Sequence, residues 1–209
     1  MSEIKLFYMK GACSLLPHIL LHEAGLPFTT SAETNGSISD ELLRLNPKGK
    51  VPLLIANGEI ITENIAIMTY ISNQVPEKNL LGTAGTMDPI RVYEWFSWLG
   101  SAVHAVGFAA FFRPQRFTVS EDADVHVGIK EQAKKALLAS FKIVEDRLDG
   151  VHAVGNKFTA ADVYLLVFWR WAHSTFGMDL KAEFPKYCAL TETVVKRESV
   201  VKAMREEGL

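Results

Sequence analysis

Only two cysteines, Cys13 and Cys188, occur among the 209 residues, and they lie far apart. So sparse a set is not the disulfide framework of a small secreted domain. Leu16 occupies the fourth position of the run that opens at Cys13, so no Cys-x-x-Cys exists and dithiol exchange within that motif is excluded. An excess of charge of one sign is missing too. Twenty-two basic residues face 24 acidic ones for a net charge of −2, without a long basic run or an acidic tail. That argues against a partner bound through a phosphate backbone, so no nucleic acid is expected. The longest apolar runs, residues 105–112 and 163–169, are far too short to span a bilayer, and no membrane partner is expected. Met1-Ser2-Glu3-Ile4-Lys5 shows no basic region leading into an apolar stretch, so no secretory leader is read. Internal repeats and low-complexity segments are also missing. These lacks together predict a reduced protein of the cytoplasm.

What is present is globular material. Apolar residues make up 48% and charged residues 22%, a mixture that a packed core with a solvated surface requires. A chain of this length buries enough surface to need neither disulfide nor metal for stability. Ile4-Lys5-Leu6-Phe7-Tyr8 reads as a strand stopped by Gly11. Leu16, Ile19 and Leu20 recur at helical spacing over residues 14–24, and Gly25 with Pro27 ends that helix. Residues 28–32 form a second strand, and 41–45 give one or two helical turns before the loop Asn46-Pro47-Lys48-Gly49-Lys50. Two apolar runs flank Asn57-Gly58, a hairpin signal. A helix follows over 64–73, with Ile67, Met68 and Ile71 on one face. The order β-α-β-α-β-β-α implies a mixed sheet with helices on its faces.

Residues 78–88 are polar and carry Gly82 and Gly85, so they read as a linker between a domain at 1–77 and another at 89–209. Strand-like alternation ends there. Residues 90–112 predict one helix ending before Arg113-Pro114; Leu137, Phe141, Val144 and Leu148 form an amphipathic stripe; 163–171 is apolar nearly all round; 185–209 supplies one or two more helices. The fold class is therefore α/β followed by all-α.

Chemistry-bearing residues gather at turns. Cys13 follows Gly11-Ala12 where a strand hands over to a helix, and a helix N-terminus stabilises a thiolate or a bound anion. A buried, inert thiol is the alternative. Tyr8 ends the first strand, either near the same helix start or as a core aromatic. Proline at position 52 permits a cis peptide and leaves the Val51 backbone free to pair with an extended ligand. Thr62-Glu63-Asn64 begins the next helix, where N–H groups can hold a carboxylate. His18 and His22 have the spacing of two metal ligands, but no third ligand is evident, so they read as a solvated helix face and no metal is expected. Trp95, Trp98, Phe108, Phe111, Phe112, Trp169 and Trp171 are mostly core, with Phe112 and Trp171 the candidates for an apolar pocket wall.

Three strings in order, Leu6-Phe7-Tyr8-Met9-Lys10-Gly11-Ala12-Cys13-Ser14, Asn46-Pro47-Lys48-Gly49-Lys50-Val51-Pro52 and Thr62-Glu63-Asn64-Ile65-Ala66-Ile67, resemble the glutathione S-transferases, nearest the bacterial beta class marked by Cys13. Phe158-Thr159-Ala160-Ala161-Asp162 resembles that superfamily's helix-capping motif. The resemblance implies a thioredoxin-like N-terminal domain, a helical C-terminal domain and glutathione as co-substrate. It implies that Pro52 is a cis-proline, that Lys50 and Val51 border the peptide, and that the Val51 backbone pairs with its cysteinyl part. It further implies that Glu63 faces the γ-glutamyl amino group and Asn64 its carboxylate, with Cys13 beside the sulfur and His104 approaching from the helical domain. Homodimers are implied as well, with Ser97 at the place from which an amide reaches across the seam. Ala105, Ser97 and Asn64 depart from the family's usual residues, each removing or altering a polar contact.

The leading expectation is transfer of the glutathione thiolate to a small hydrophobic electrophile, with Cys13, Tyr8 and Ser14 as candidate donors and His104 as a further contributor. Disulfide or peroxide reduction through a Cys13 mixed disulfide, and a non-catalytic carrier on the same fold, remain open.

Overall fold

In the computed structural model, which describes residues 3–209, the first strand splits the interior into two packing layers. Met1 and Ser2, the start of the stretch read for a leader, lie outside the described residues. Strand β1 (Ile4–Met9) sends Ile4 and Leu6 into the main core and Phe7 into a smaller cluster with Leu42 and Leu53. That division follows from the two-residue period of a strand. Helix α1 (Leu15–Ala24), strand β2 (Thr29–Glu33), helix α2 (Asp40–Leu45), strands β3 (Leu53–Ala56) and β4 (Glu59–Thr62) and helix α3 (Asn64–Gln74) follow. The sheet order is β2-β1-β3-β4; β1 and β2 are parallel, and the other neighbours are antiparallel. Asn57 and Gly58 turn the β3–β4 hairpin with φ of 54° and 82°, the positive values a two-residue turn of this kind demands. Leu16, Ile19 and Leu20 of α1 and Ile67, Met68 and Ile71 of α3 are all fully buried on one face of the sheet. Leu42 of α2 covers the other face.

From Asp88 onward the described residues are helical or connecting. The segment expected as a linker gives way to α4 (Asp88–Trp98) at its last residue. The same helix runs on through wider π-type turns, Leu99–Phe108, into α5 (Ala109–Phe112). As one piece, Asp88–Phe112 spans 25 residues and is long and apolar enough to cross a membrane, which contiguous runs alone did not reveal. Its Val92, Trp95, Phe96, Leu99, Val103 and Phe108 are instead buried in the protein core.

After a 3-10 turn at Pro114–Arg116, five further helices follow among the described residues: α6 (Ala123–Arg147), α7 (Ala160–Thr175), the one-turn α8 (Leu180–Glu183), α9 (Pro185–Val194) and α10 (Glu198–Glu207). Leu137, Phe141 and Val144 of α6, with Leu148 just beyond it, are buried as their spacing predicts. Helix α7 is central, with every residue from Ala160 through Trp169 buried. Its start is fixed by the fully buried Asp162, which accepts hydrogen bonds from the Thr159 N–H and the Ala153 N–H, each at 2.7 Å. Glu145 does the same for α9, accepting from the N–H groups of Lys186 and Tyr187 at 3.0 and 2.9 Å. Helix α10 returns to pack on α1, tied by Arg197 and Ser199 to the carboxylate of Glu23. That packing corrects one expectation: His18 is completely buried against α10 rather than solvated, because its partners lie at the far end of the sequence.

Candidate active site

The turn before α1 brings Cys13 under the start of β3. The Val51–Pro52 peptide is cis, and the Cys13 thiol donates to the Val51 carbonyl at 3.6 Å. Asn64, at the first turn of α3, donates its side-chain amide to the Cys13 carbonyl at 3.4 Å. Three separate loops thus meet at one cysteine, as their positions in the sequence imply.

Burial dominates the electrostatics. Cys13 is 9% exposed, and its thiol is pushed up to about 11 by burial, with the Asn64 amide and its own backbone opposing. The helix start therefore does not produce a thiolate here, because loss of hydration outweighs the dipole. Cys13 is a neutral donor. Ser14 is spent structurally: its fully buried hydroxyl accepts from the Met9 N–H at 3.0 Å and donates to the Met9 carbonyl at 3.2 Å. It closes the turn that presents Cys13 and has no hydrogen left for a ligand.

Glu63 adopts φ 73° and ψ 131°, a conformation that costs a non-glycine residue about 1–3 kcal/mol. Its exposed carboxylate pairs with Lys48, whose amine also reaches the Thr62 hydroxyl at 2.9 Å. The Asn64 side chain points inward to Cys13 rather than outward, and its Oδ1 is buried without a hydrogen-bond partner. The first turn of α3 has no side-chain cap, so its leading N–H groups are available to an anion.

From the helical half, His104 and Tyr164 approach the same place. The Tyr164 hydroxyl lies 3.5 Å from His104 Nδ1. Burial, and after it Cys13, raises the Tyr164 phenol far above its ordinary value, while the Asn64 amide opposes by hydrogen bonding. His104 is pushed down to about 4, first by burial and then by the Lys50 cation, with Glu63 opposing. Near neutral pH a neutral thiol, imidazole and phenol therefore face one another across the two halves, with the Lys50 cation at the rim. Such a set stabilises a negative charge brought to it rather than supplying one.

Tyr164 is the member that sequence reasoning missed. It sits inside an uninterrupted apolar helix, where no periodicity separates it from core residues; the approach of its hydroxyl to Gly100, on a different helix, is visible only in three dimensions.

Trp171 does stand at this edge, its indole N–H donating to the Gly11 carbonyl at 2.7 Å and its ring 5.4 Å from that of His104. Phe112, 45% exposed, packs edge-on against Trp171 at 5.7 Å. Tyr8 goes elsewhere. Its ring lies 5.3 Å from His18, and its phenol is raised by burial and by Glu207 and Glu206. None of these neighbours belongs to the Cys13 group, so the structure does not bring Tyr8 to it. Ser97 is exposed on α4, where its carbonyl accepts from the Ser101 hydroxyl at 2.8 Å. No contact ties it to the Cys13 group among the described residues. A surface hollow lined by Val195, Val201, Met204, Arg205, Gly208 and Leu209 shares no residue with the group.

Comparison with known proteins identifies the family. Residues 2–73 match the glutathione S-transferase N-terminal domain and residues 102–198 the glutathione S-transferase C-terminal domain. Glutathione S-transferase GstA of Escherichia coli O157:H7 is 32% identical over 213 residues, covering 99% of this chain and 100% of that one. The beta-class glutathione S-transferase of Sphingomonas chungbukensis superposes with a TM-score of 0.85 at 34% identity, over 98% of this chain and 99% of that one. A Sulfitobacter glutathione transferase homolog, solved with bound glutathione, superposes with a TM-score of 0.89 at 27% identity over 100% of both chains. With both domains matched and whole-length relatives on either side, the chain belongs to the glutathione S-transferase family, close to its bacterial beta class.

Proposed function

We propose that this protein is a glutathione transferase that holds glutathione along the edge made by Cys13, Val51, Pro52, Glu63 and the start of α3, and passes its thiolate to small hydrophobic electrophiles. Residues 1–77 grip the tripeptide, and residues 89–209, beyond the 78–88 connection, supply the wall for the second substrate. The Val51 backbone pairs with the cysteinyl unit once Cys13 yields its carbonyl. Glu63 takes the γ-glutamyl amine in exchange for Lys48, the N–H groups at Asn64 and beyond take its carboxylate, and Lys50 offsets the remaining negative charge.

The observation that carries this reading is the neutral, buried Cys13 thiol seated between the cis-Pro52 turn and the Asn64 amide. A donor in that position lowers the pKa of an incoming glutathione sulfur by favouring its charged form. The same neutrality disfavours the mixed-disulfide reaction, which requires Cys13 itself to ionise. His104 and Tyr164 complete the polar side of the cleft; Trp171 and Phe112 form its apolar side.

Aryl-halide conjugation and calorimetry with reduced glutathione test the proposal together. Wild-type protein is expected to bind and turn over; Glu63→Gln is expected to raise the KM for glutathione about 10–100-fold, the loss of one charge-assisted bond. Heat without turnover would favour a carrier, and a Cys13 adduct after oxidised glutathione, seen by mass spectrometry, would favour reduction.

We also propose a homodimer of the cytoplasm. Met87 just before α4, Ile90 on it and Val106 in the turns that continue it expose apolar side chains along the length that carries Ser97, and Ile65 does so on α3, an arrangement suited to a subunit seam. Light scattering at micromolar concentration reports the state.

A further inference from the structure

Outside the active site, four ionisable side chains from opposite ends of the sequence converge between α1 and α10. His18 and His22 sit one turn apart on α1. The Glu206 Oε2 of α10 lies 2.9 Å from the Nε2 of each. All three ligand atoms fall within 4.8 Å of one another. Behind them, Glu207 Oε1 contacts His18 Nδ1 at 2.9 Å, and Glu207 Oε2 accepts the Gly11 N–H at 2.8 Å. The side chains of His18 and Glu207 are both 0% exposed.

The proton count at His18 is the key to this cluster. With Nδ1–H donated to Glu207, an imidazole carrying one proton turns the Nε2 lone pair toward the carboxylate of Glu206. Two lone pairs do not face each other at 2.9 Å without a cation between them. A second proton would serve, and so would a metal ion. His22 Nε2 meets the same Glu206 oxygen at 2.9 Å, so a second imidazole nitrogen stands ready as a ligand. Glu207 meanwhile stands where the outer carboxylate of a metal-bound histidine stands, fixing tautomer and ring orientation. Tyr8, Phe28 and Lys202 also face the cluster, and Arg170 faces Glu207.

We propose that His18, His22 and Glu206 form a divalent-metal site that clips α1 to α10, with zinc the best-fitting ion. Two imidazoles and one carboxylate suit zinc and its borderline neighbours rather than magnesium or calcium, which prefer oxygen. Ligand bonds of about 2.0–2.2 Å place tetrahedral ligand atoms about 3.3–3.5 Å apart. The 2.9 Å contacts therefore open by a few tenths of an ångström while the two Nε2 atoms, within 4.8 Å, settle to the same spacing, adjustments for the 41%-exposed Glu206 and 9%-exposed His22 side chains to make. That exposure also gives the ion its entry path and leaves the fourth position to water.

The test uses the full chain stripped with a chelator, titrated with zinc chloride in a calorimeter and melted with and without zinc. One equivalent is expected to bind and to raise Tm, and cobalt(II) is expected to give the intense visible bands of a tetrahedral centre. Glu206→Gln and His22→Ala are each expected to weaken zinc by more than the roughly 10–100-fold typical of outer-shell changes. Cys13→Ala is expected to leave binding intact. Absence of binding, equal binding by Glu206→Gln and wild type, or loss of binding in Cys13→Ala would each overturn the site, the last by moving the metal to the active-site thiol. Glu206→Gln is isosteric and at the surface, so it remains decisive if His22→Ala folds poorly.

Discussion

Trp171 and Gly11, 160 residues apart, are joined by a 2.7 Å hydrogen bond from the indole N–H to the backbone carbonyl. Through it the central helix of the C-terminal half holds the turn that presents Cys13. Replacing Trp171 with Phe keeps a ring against His104 and Phe112 but leaves the carbonyl unpaired. The expected loss is about 1–3 kcal/mol of stability, the range for stranding one buried polar group. A raised KM for glutathione should accompany it. Urea denaturation and steady-state kinetics on the same preparation check both.

The state of Cys13 has a pH signature. Its thiol lies at about 11 in the folded chain, against about 8.5 for an unfolded cysteine. A raised folded value means the protonated form is favoured by folding. The contribution of Cys13 to stability is therefore complete below about pH 8.5 and declines as pH climbs toward 11. The difference in unfolding free energy between wild type and Cys13→Ala should shrink over that window. Peptide-resolved alkylation with iodoacetamide should likewise be slow at Cys13 near pH 8 and accelerate toward pH 11.

Removing the Tyr164 hydroxyl probes the residue that no sequence pattern singles out. Tyr164→Phe preserves the packing of α7 while taking away a donor shared by His104 and the Asn64 region. A fall in kcat of about tenfold is expected, equivalent to one hydrogen bond of about 1.4 kcal/mol. The kcat/KM profile should shift toward higher pH, because the bound sulfur loses part of its stabilisation. An unchanged profile with lower kcat would instead assign Tyr164 a packing role alone.

Asp162 carries structure without chemistry. Its carboxylate serves two backbone N–H groups, that of Thr159 at the start of α7 and that of Ala153 in the preceding loop. Asp162→Ala should lower stability by about 2–4 kcal/mol, combining a lost helix cap with two stranded donors. Conjugation measured well below the melting temperature should change little. Thermal melts and assays at 15–20 °C, temperatures on the order of those where most domains are most stable, separate the two effects.

Much of the fold was legible because local and global signals coincide. Asn57-Gly58 announces its hairpin, Thr159-Ala160-Ala161-Asp162 announces the start of α7, and the run Ile4-Lys5-Leu6-Phe7-Tyr8, stopped by Gly11, announces β1. The convergence of Cys13, Val51-Pro52 and Asn64 was readable because each sits at a strand end or helix start, and a mixed sheet gathers such ends at one edge. Hydration resisted the reading. The position of Cys13 beside a helix suggests a thiolate, yet burial reverses it. Partnership across the chain resisted it too: His18 looks like a surface residue until Glu206 and Glu207, nearly two hundred positions later, fold over it. Tyr8 was placed correctly at the end of its strand but on the face turned toward those glutamates.

The wide turns between Leu99 and Phe108 carry one last implication. The Ala109 N–H reaches back to the His104 carbonyl, five residues earlier, so this stretch holds more chain per revolution than the helix on either side. It acts as a gear that indexes His104 against Tyr164, and Phe108 and Phe112 against Trp171. Substitution at the exposed Ser101 or Ala102 leaves the gear engaged. Inserting one more residue beside either, where the turns are already widened, swings the following segment by about 100°, turning imidazole and phenyl rings away from the cleft together. Length, more than composition, is what this part of the gene must conserve.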